Sequence, residues 1–327
     1  MDAMLELPPG YRRRPPRRDE SADVDRLSTA CDAALGAAPS LSEELVVRMW
    51  ARPRFDLATD ATIVEWQGAV VGYAQVWAED ATHLTAFALV HPEHTGRGIG
   101  SGLATLIERR AAELADGEAE LLIATIPQDE AAARLLTARG YAFARRFWQM
   151  EAELSARTAA GAGAGVGSPA DILVRTVDPE QDLAAVHRVL EDALADHWNN
   201  VPQSYAEFLA QNVHQDDFDA GLWFIALDDG QPVGALTGSA HGDRGAVDLL
   251  GVVRSHRGRG IAAALLRVAF DEFRRRGLAR ARVSVDSSNP TGAVALYERV
   301  GMHVASEYDL WIRGVTGARA TGARATG

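Results

Sequence analysis

The chain has no lysine: all 33 of its basic residues are arginine, and cysteine occurs once. A P-loop nucleotide site needs a Gly-Lys-Ser/Thr step, so the missing lysine excludes it. The single Cys31 excludes an intrachain disulfide and a cysteine-cluster metal site. No apolar run approaches the roughly 20 residues of a membrane span, and the first residues lack the apolar core of a signal peptide. We therefore expect a cytoplasmic protein that makes no membrane contact.

Positive charge is in deficit, with 33 basic against 45 acidic residues and a formal net charge of -12. The average field of such a chain repels nucleic acids and anionic membranes. The basic run YRRRPPRR (11–18) precedes an amphipathic helix, and so does ILVRTVDPEQD (172–182). We interpret both segments as a first strand and turn, and we expect no nucleic-acid partner.

The sequence contains one pattern twice. At an offset of 162 residues, GAVVGYAQVW (68–77) aligns with GQPVGALTGS (230–239), and TGRGIG (95–100) aligns with RGRGIA (257–262). Towards the end of each copy the offset becomes 161 residues. Self-similarity over this length predicts two copies of one domain.

The domain boundary is placed in a segment without apolar periodicity. SARTAAGAGAGVGSP (155–169) is rich in Gly and Ala, which suits a linker. The first domain then covers residues 1–154 and the second covers 170–313, followed by a low-complexity tail at 314–327 that we expect to be disordered. Strands alternate with helices in each copy, which predicts the α/β class. We expect the two domains to pack together within one chain.

A glycine-rich basic loop separates a strand from a helix in the second copy. In VVRSHRGRGIAAALLR, an apolar run leads into Arg257, Gly258, Arg259 and Gly260. The first amides of a helix lack intrahelical partners and lie at the positive end of the helix dipole. Glycines let the backbone approach an anion closely, and arginine side chains donate to phosphate oxygens. The segment therefore predicts a pyrophosphate site.

A dinucleotide-binding loop is the alternative that this spacing permits. Gly258, Gly260 and Ala263 satisfy G-x-G-x-x-A. In dinucleotide folds, however, the loop follows the first strand of a βαβ unit, whereas hairpin-like strands precede AVDLLGVV (246–253) here. The order of elements thus disfavours a nicotinamide or flavin site.

The loop resembles that of the GNAT N-acetyltransferase superfamily. Arg257, Gly260 and Ala262 fit the family pattern Arg/Gln-x-x-Gly-x-Gly/Ala, and NPTGAVALYERVGM (289–302) resembles its last helix. The doubled arrangement is similar to that of mycothiol synthase and related tandem acetyltransferases. The resemblance implies a bent mixed sheet flanked by helices in each domain, with a fourth and a fifth strand that splay apart to admit acetyl-CoA.

The resemblance also implies the cofactor contacts. The amides of residues 258–262 are expected to hold the CoA pyrophosphate, and the main chain of Val252 and Val253 to pair with the pantetheine arm. Asn289 is expected to reach CoA, with capping of the last helix as the alternative role. The predicted cofactor-binding residues are Val252, Val253, Arg257, Gly258, Arg259, Gly260, Ile261, Ala262 and Asn289.

Acetyl transfer to an amine needs a base, a stabilised oxyanion and an acid for the departing thiolate. The resemblance assigns the acid to Tyr297, for which packing is the alternative role. Asp248 is the candidate base, because strand alternation places it on the face of Leu250, where a carboxylate is costly unless it is used. His241 and Asp243 are rival bases from a predicted turn. A backbone N–H at the splayed strand is expected to stabilise the oxyanion.

The first copy lacks these candidate groups. The positions of Tyr297, Asp248, Asn289 and Arg257 hold Leu136, Ala86, Gln128 and Thr95 in the first copy, respectively. We therefore predict that the second domain is catalytic and that the first is degenerate, with its CoA binding left open. No metal site is predicted, because His91 and His94 are expected to be exposed on a turn.

The residues and the resemblance together predict an N-acetyltransferase that uses acetyl-CoA and transfers the acetyl group directly in a ternary complex. The acceptor is expected to be a primary amine of a small molecule or of a protein, in contact with residues such as His197, Trp198 and Tyr205. The alternative is a non-enzymatic acyl-CoA-binding or regulatory module, because both copies keep the glycine loop.

Overall fold

The computed structural model describes residues 7–52, 54–80, 82–154, 171–195, 197–198, 200, 202–214, 218–289 and 291–317. They belong to two compact units: unit 1 comprises residues 1–146 and 306–327, and unit 2 comprises residues 147–305. Each unit thus includes a stretch from the other half of the sequence. The predicted linker at 155–169 lies outside the described residues, so the division at that segment stays a prediction. No helix among the described residues is long and apolar enough to cross a bilayer.

Unit 1 is built on a mixed sheet with the strand order β1-β2-β3-β4-β5-β12. In chain order, its elements are β1 (Tyr11–Arg14), α1 (Ser21–Ala34), α2 (Glu43–Trp50), α3 (Leu57–Asp60), β2 (Ala61–Trp66), β3 (Ala69–Ala78), β4 (His83–Val90), α4 (Ile99–Leu114), β5 (Glu118–Thr125), α5 (Glu130–Ala138) and the first residues of β6 (Ala142–Glu153). The sixth strand, β12 (His303–Thr316), returns from the end of the chain and pairs antiparallel with β5.

Unit 2 repeats this plan with the strand order β6-β11-β10-β9-β8-β7. After β6 its elements are β7 (Ile172–Thr176), α6 (Leu183–Leu194), α7 (Tyr205–Phe208), β8 (Phe224–Asp228), β9 (Gln231–His241), β10 (Arg244–Val252), α8 (Ile261–Arg275), β11 (Arg280–Asp286) and α9 (Ala293–Arg299). Residues Phe147 to Glu153 of β6 pair antiparallel with β11. The mixed α/β architecture predicted for both copies is confirmed.

Equivalent hairpins in the two units have the same turn. Gln67 and Gly68 have φ of 50° and 84°, and Asp229 and Gly230 have φ of 47° and 78°. Two successive residues with positive φ are typical of a type I′ turn, whose twist matches that of paired strands. The repeat in the sequence is therefore also a repeat of backbone conformation.

The parallel strands of each unit separate after a short contact. β4 pairs with β5 only from His83 to Ala86, and β10 pairs with β11 only from Arg244 to Val247. Beyond these points, β4 and β10 continue to pair with the preceding antiparallel strands alone. The splay implied by the family resemblance is thus present in both units.

Helices cover both faces of the sheet in unit 2. On one face, α8 approaches β9 so closely that a Cβ on Gly234 would lie 3.0 Å from Ile261 Cγ2. On the other face, α6 approaches β10, and a Cβ on Gly251 would lie 2.6 Å from Ala193 Cβ. These close contacts fix the end of β10 between the two helices.

The last strand extends further than the sequence predicted. Residues 314–316, expected in the tail, continue β12, and Thr316 is in register with Glu118. In the same unit the Arg146 guanidinium contacts the Asp309 carboxylate through two hydrogen bonds of 2.7 and 3.0 Å. The remaining predicted tail, from residue 318, lies outside the described residues.

We expect Gly251→Ala to destabilise the fold by about 1–3 kcal/mol, because the added methyl group overpacks the contact between α6 and β10. Gly314→Ala is the matched control, since no atom lies within 4 Å of a Cβ built on that strand glycine. The midpoint of urea unfolding measures both effects. Equal midpoints for the two variants would contradict the close packing at Gly251.

Candidate active site

The glycine loop of unit 2 presents a row of backbone amides. Gly258 and Gly260 have φ of 77° and 81°, and Gly260 is the N-cap of α8. The N–H groups of residues 258–262 donate no hydrogen bond to any residue that the structure describes. They also lie at the positive end of a 15-residue helix, an arrangement that favours anion binding, and their use by a pyrophosphate stays a prediction.

The separated edge of β10 presents two more amides. The Leu249 N–H donates to Thr237 Oγ1 (3.1 Å) and the Val253 N–H donates to Val233 O (3.0 Å), both towards β9. Successive amides of a strand point in opposite directions, so those of Leu250 and Val252 point into the gap that β11 leaves.

The directions of the β10 amides change which residues are candidates for main-chain contact with the pantetheine arm. Val252 keeps its place at the gap, whereas the Val253 amide is used within the sheet. Leu250 was missed, because the sequence does not show where parallel pairing stops.

The two loop arginines make different contacts. Arg257 donates from Nε to Val252 O (3.2 Å) and from Nη2 to Ala193 O (2.9 Å), so its guanidinium engages main-chain carbonyls. Arg259 donates from Nη1 to Asp228 Oδ2 (2.8 Å), and this hydrogen bond is the main cause of the lowered pKa of Asp228. Binding of a phosphate by either side chain stays a prediction.

Tyr297 lies on α9 and is 7% exposed. Burial raises the pKa of Tyr297 to about 12, which keeps the phenol protonated at neutral pH. Desolvation is the cause of this shift. Tyr297 packs in the core of unit 2, so the packing role predicted as the alternative is present, and the acid role stays a prediction.

Asn289 does not cap α9. The N-cap is Gly292, with φ of 78°, whereas Asn289 Oδ1 accepts a hydrogen bond from the Thr291 N–H (2.8 Å) in the turn before it. The capping role is therefore wrong. The reason is that the helix begins at Ala293, later than the Asn-Pro step suggested. Contact of Asn289 with CoA stays a prediction.

Asp248 lies in a β-bulge, because the register with β9 shifts between Val247 and Leu249. The bulge breaks the alternation, so the Asp248 side chain is not on the face of Leu250, and it is exposed rather than held in apolar surroundings. The burial argument for this residue is therefore wrong. Asp248 remains a candidate base on other grounds.

A hydrogen-bonded chain connects Asp248 with its rival. Ser239 Oγ donates to Asp248 Oδ1 (3.1 Å) and lies 3.1 Å from His241 Nε2. Asp243 lies apart in the turn that follows β9, where its carbonyl accepts the Ala279 N–H (2.7 Å). The structure thus joins two of the three candidate bases through a serine that the sequence analysis did not single out.

Among its described residues, unit 1 has the glycine loop but has no counterpart of Tyr297 or of the bulge at Asp248. Gly96 and Gly98 have φ of 71° and 83°, as in unit 2. Leu136 is buried at the position of Tyr297, and β3 and β4 pair in continuous register past Ala86. The bulge that carries Asp248 therefore has no counterpart in unit 1.

His94 is buried, at 6% exposed, which corrects the expectation that it lies on an open turn. The Tyr11 hydroxyl lies 2.7 Å from its Nδ1, and the ring packs 5.1 Å from Trp66, centroid to centroid. Desolvation lowers the pKa of His94. His91, Glu93 and His94 place potential ligand atoms within 4.8 Å of one another beside a cavity of about 370 Å³.

Comparison with known proteins decides between the family assignments. The model of the Acetyltransferase (GNAT) family matches residues 31–141 and 185–302, one stretch in each copy. The chain belongs to this family. Both matches include a glycine loop, and the GNAT assignment replaces the dinucleotide-binding alternative.

Relatives of this GNAT chain match nearly its whole length. It is 32% identical to a mycothiol acetyltransferase from Salinispora arenicola over 86% of this chain and 89% of the relative. It is 31% identical to the enzyme of that name from Streptomyces avermitilis over 75% and 76% of the two chains. The chain is therefore an N-acetyltransferase, and the non-enzymatic alternative is not favoured.

Solved structures support the tandem GNAT fold. A GCN5-related N-acetyltransferase from Sphaerobacter thermophilus superimposes with a TM-score of 0.83 at 30% identity, covering 95% of this chain and 98% of the other. A tandem GNAT protein from the clavulanic acid biosynthesis pathway gives 0.66 at 19% identity, over 93% and 98%. At 19% identity, the similarity to the clavulanic acid pathway protein shows a shared fold and nothing more.

We expect alkali to destabilise the wild type more than Tyr297→Phe. Folding raises the pKa of Tyr297 from 10.0 to about 12. The stabilisation is therefore complete below pH 10 and is lost as the pH rises towards 12, by about 1 kcal/mol between pH 9 and pH 11. Urea unfolding at the two pH values measures the difference between the proteins. An identical loss in both would show that Tyr297 titrates normally.

Proposed function

We propose that unit 2 transfers the acetyl group of acetyl-CoA directly to the primary amine of a small molecule in a ternary complex. The observation that carries the proposal is that the amides of residues 258–262, next to the separated edge of β10, donate to no residue that the structure describes. A small-molecule acceptor is supported by relatives that carry the name mycothiol acetyltransferase. A cytoplasmic location is proposed with it.

The loop fits the anionic part of acetyl-CoA. Amides 258–262 supply donors for the pyrophosphate, and Arg259 supplies a cation if it leaves Asp228. The amides of Leu250 and Val252 supply donors for the pantetheine arm and for the thioester oxygen. Since the protein must stabilise negative charge that develops on this oxygen, a fixed backbone donor is the group that the reaction needs.

The transfer requires that one proton leaves the amine and one reaches sulfur. The amine nitrogen forms a bond to the acetyl carbon, and the bond from this carbon to sulfur breaks. Asp248, connected to His241 through Ser239, takes the amine proton, and Tyr297 gives its phenolic proton to the thiolate. The phenol is protonated at neutral pH and so has a proton to give when the thiolate forms.

We expect Gly260→Val to reduce acetyl transfer at least tenfold, while Gly98→Val leaves it unchanged. Both glycines are helix N-caps with φ near 80°, where valine costs about 1–2 kcal/mol, so their structural penalties are matched. Only the first loop belongs to the proposed catalytic unit. Mass spectrometry of free CoA and acetylated products, with acetyl-CoA and pooled amine metabolites offered, measures the outcome. A loss with Gly98→Val alone would move catalysis to unit 1.

Tyr297→Phe is expected to lower kcat by about 10- to 100-fold and leave the Kd for acetyl-CoA unchanged, because only the proton donor is removed. Tyr141→Phe is the control, since that tyrosine of unit 1 is similarly buried, at 4% exposed. Steady-state kinetics and calorimetric titration with acetyl-CoA give the two values. Full activity of Tyr297→Phe would remove this residue from the mechanism.

A further inference from the structure

We propose that Arg257 is a positioning residue that fastens the end of α6 to the end of β10, and that it is not a phosphate ligand. In this role it holds the acceptor side of unit 2 in place against the CoA loop. The inference deepens the proposed function and rests on it. It reassigns a residue whose type and place in the loop suggested contact with phosphate.

The contacts of Arg257 span two elements. Nε donates to Val252 O (3.2 Å), the last residue of β10, and Nη2 donates to Ala193 O (2.9 Å), in the last turn of α6. The final carbonyls of a helix lack intrahelical partners and carry the negative end of its dipole. A guanidinium satisfies such a carbonyl and at the same time holds a second one, because its donors are fixed in a plane.

The packing brings these two carbonyls within reach of one side chain. Gly251, next to Val252, has no side chain on the face that meets α6, and a Cβ there would lie 2.6 Å from Ala193 Cβ. Helix end and strand end are therefore in direct contact. Arg257 itself is exposed, so replacing it opens no cavity in the core.

Arg257 lies between the loop amides, the end of β10 and the end of α6, which are the three parts of the proposed site. It immediately precedes Gly258, the first of the loop amides, and it holds the residue whose N–H faces the gap between β10 and β11. The segment with the candidate acceptor residues His197 and Trp198 begins directly after α6. A shift of this helix end would move that segment relative to the thioester.

Unit 1 provides an internal comparison. Ala193 corresponds to Cys31, whose Sγ donates to Val90 O (3.3 Å), the carbonyl that corresponds to Val252 O. Thr95, at the position of Arg257, instead donates from Oγ1 to Pro92 O (2.9 Å). The same strand-end carbonyl is thus held in both units by different chemistry, from the helix in unit 1 and from the loop in unit 2. This repetition indicates that the constraint lies at the carbonyl and does not need a basic residue for phosphate.

The decisive experiment compares Arg257→Thr with Arg259→Gln in the full chain. For Arg257→Thr, we expect kcat to fall about tenfold and the acceptor KM to rise, with the Kd for acetyl-CoA within threefold of wild type, because charge-assisted hydrogen bonds to a positioned element are lost. Arg259→Gln, which keeps the helix attachment and removes the proposed cation for the pyrophosphate, is expected to weaken the Kd for acetyl-CoA instead. A tenfold weaker Kd for acetyl-CoA with unchanged kcat in Arg257→Thr would overturn the proposal and make Arg257 a phosphate ligand.

Hydrogen exchange tests the same contact without turnover. Amides of residues 190–198 are expected to exchange faster in Arg257→Thr and at the wild-type rate in Arg259→Gln. Adding Ala193→Cys to Arg257→Thr imports the thiol of unit 1 and is expected to restore part of the protection and of kcat. Unchanged exchange in Arg257→Thr would refute the positioning role. If the wild type itself transfers no acetyl group, the proposed function fails, and the exchange result still decides the role of Arg257.

Discussion

Parallel pairing between β10 and β11 stops after four residues, and the candidate site depends on that interruption. A backbone amide that faces away from its only remaining partner strand must find another acceptor or remain open to a ligand. Leu250 and Val252 are in this position, and the amides of residues 258–262 likewise donate to no residue that the structure describes. Two groups of open backbone amides, at the end of β10 and at the start of α8, are therefore present at the proposed cofactor site.

One candidate catalytic group in which the two units differ is the carboxylate that the bulge in β10 places at Asp248. Both units have the loop, the splay and the same hairpin turns, so these features belong to the repeated domain pattern. The bulge at Asp248 exists only in unit 2 among the residues described. Because a bulge redirects a side chain without changing the rest of the sheet, it gives one copy a carboxylate that the other copy cannot place.

Local patterns in the sequence were sufficient for the repeat, the loop and the hairpins, because glycine at positive φ and strand alternation act over a few residues. These patterns did not predict contacts between residues that lie far apart in the sequence. The attachment of Arg257 to Ala193 joins residues 64 positions apart, and the burial of His94 depends on Tyr11, 83 positions away. The bulge was missed for a related reason: register is a property of two strands, and neither one shows it alone.

The strand exchange between the halves of the sequence has a consequence for how the gene product can be divided. Residues 147–153 complete one sheet, and residues 306–316 complete the other. A cut within residues 155–169 would separate each sheet from the strand that completes it in the intact chain. Each half of the sequence thus supplies a strand to the unit built mainly from the other half, so deleting either half would remove a strand from the unit that remains.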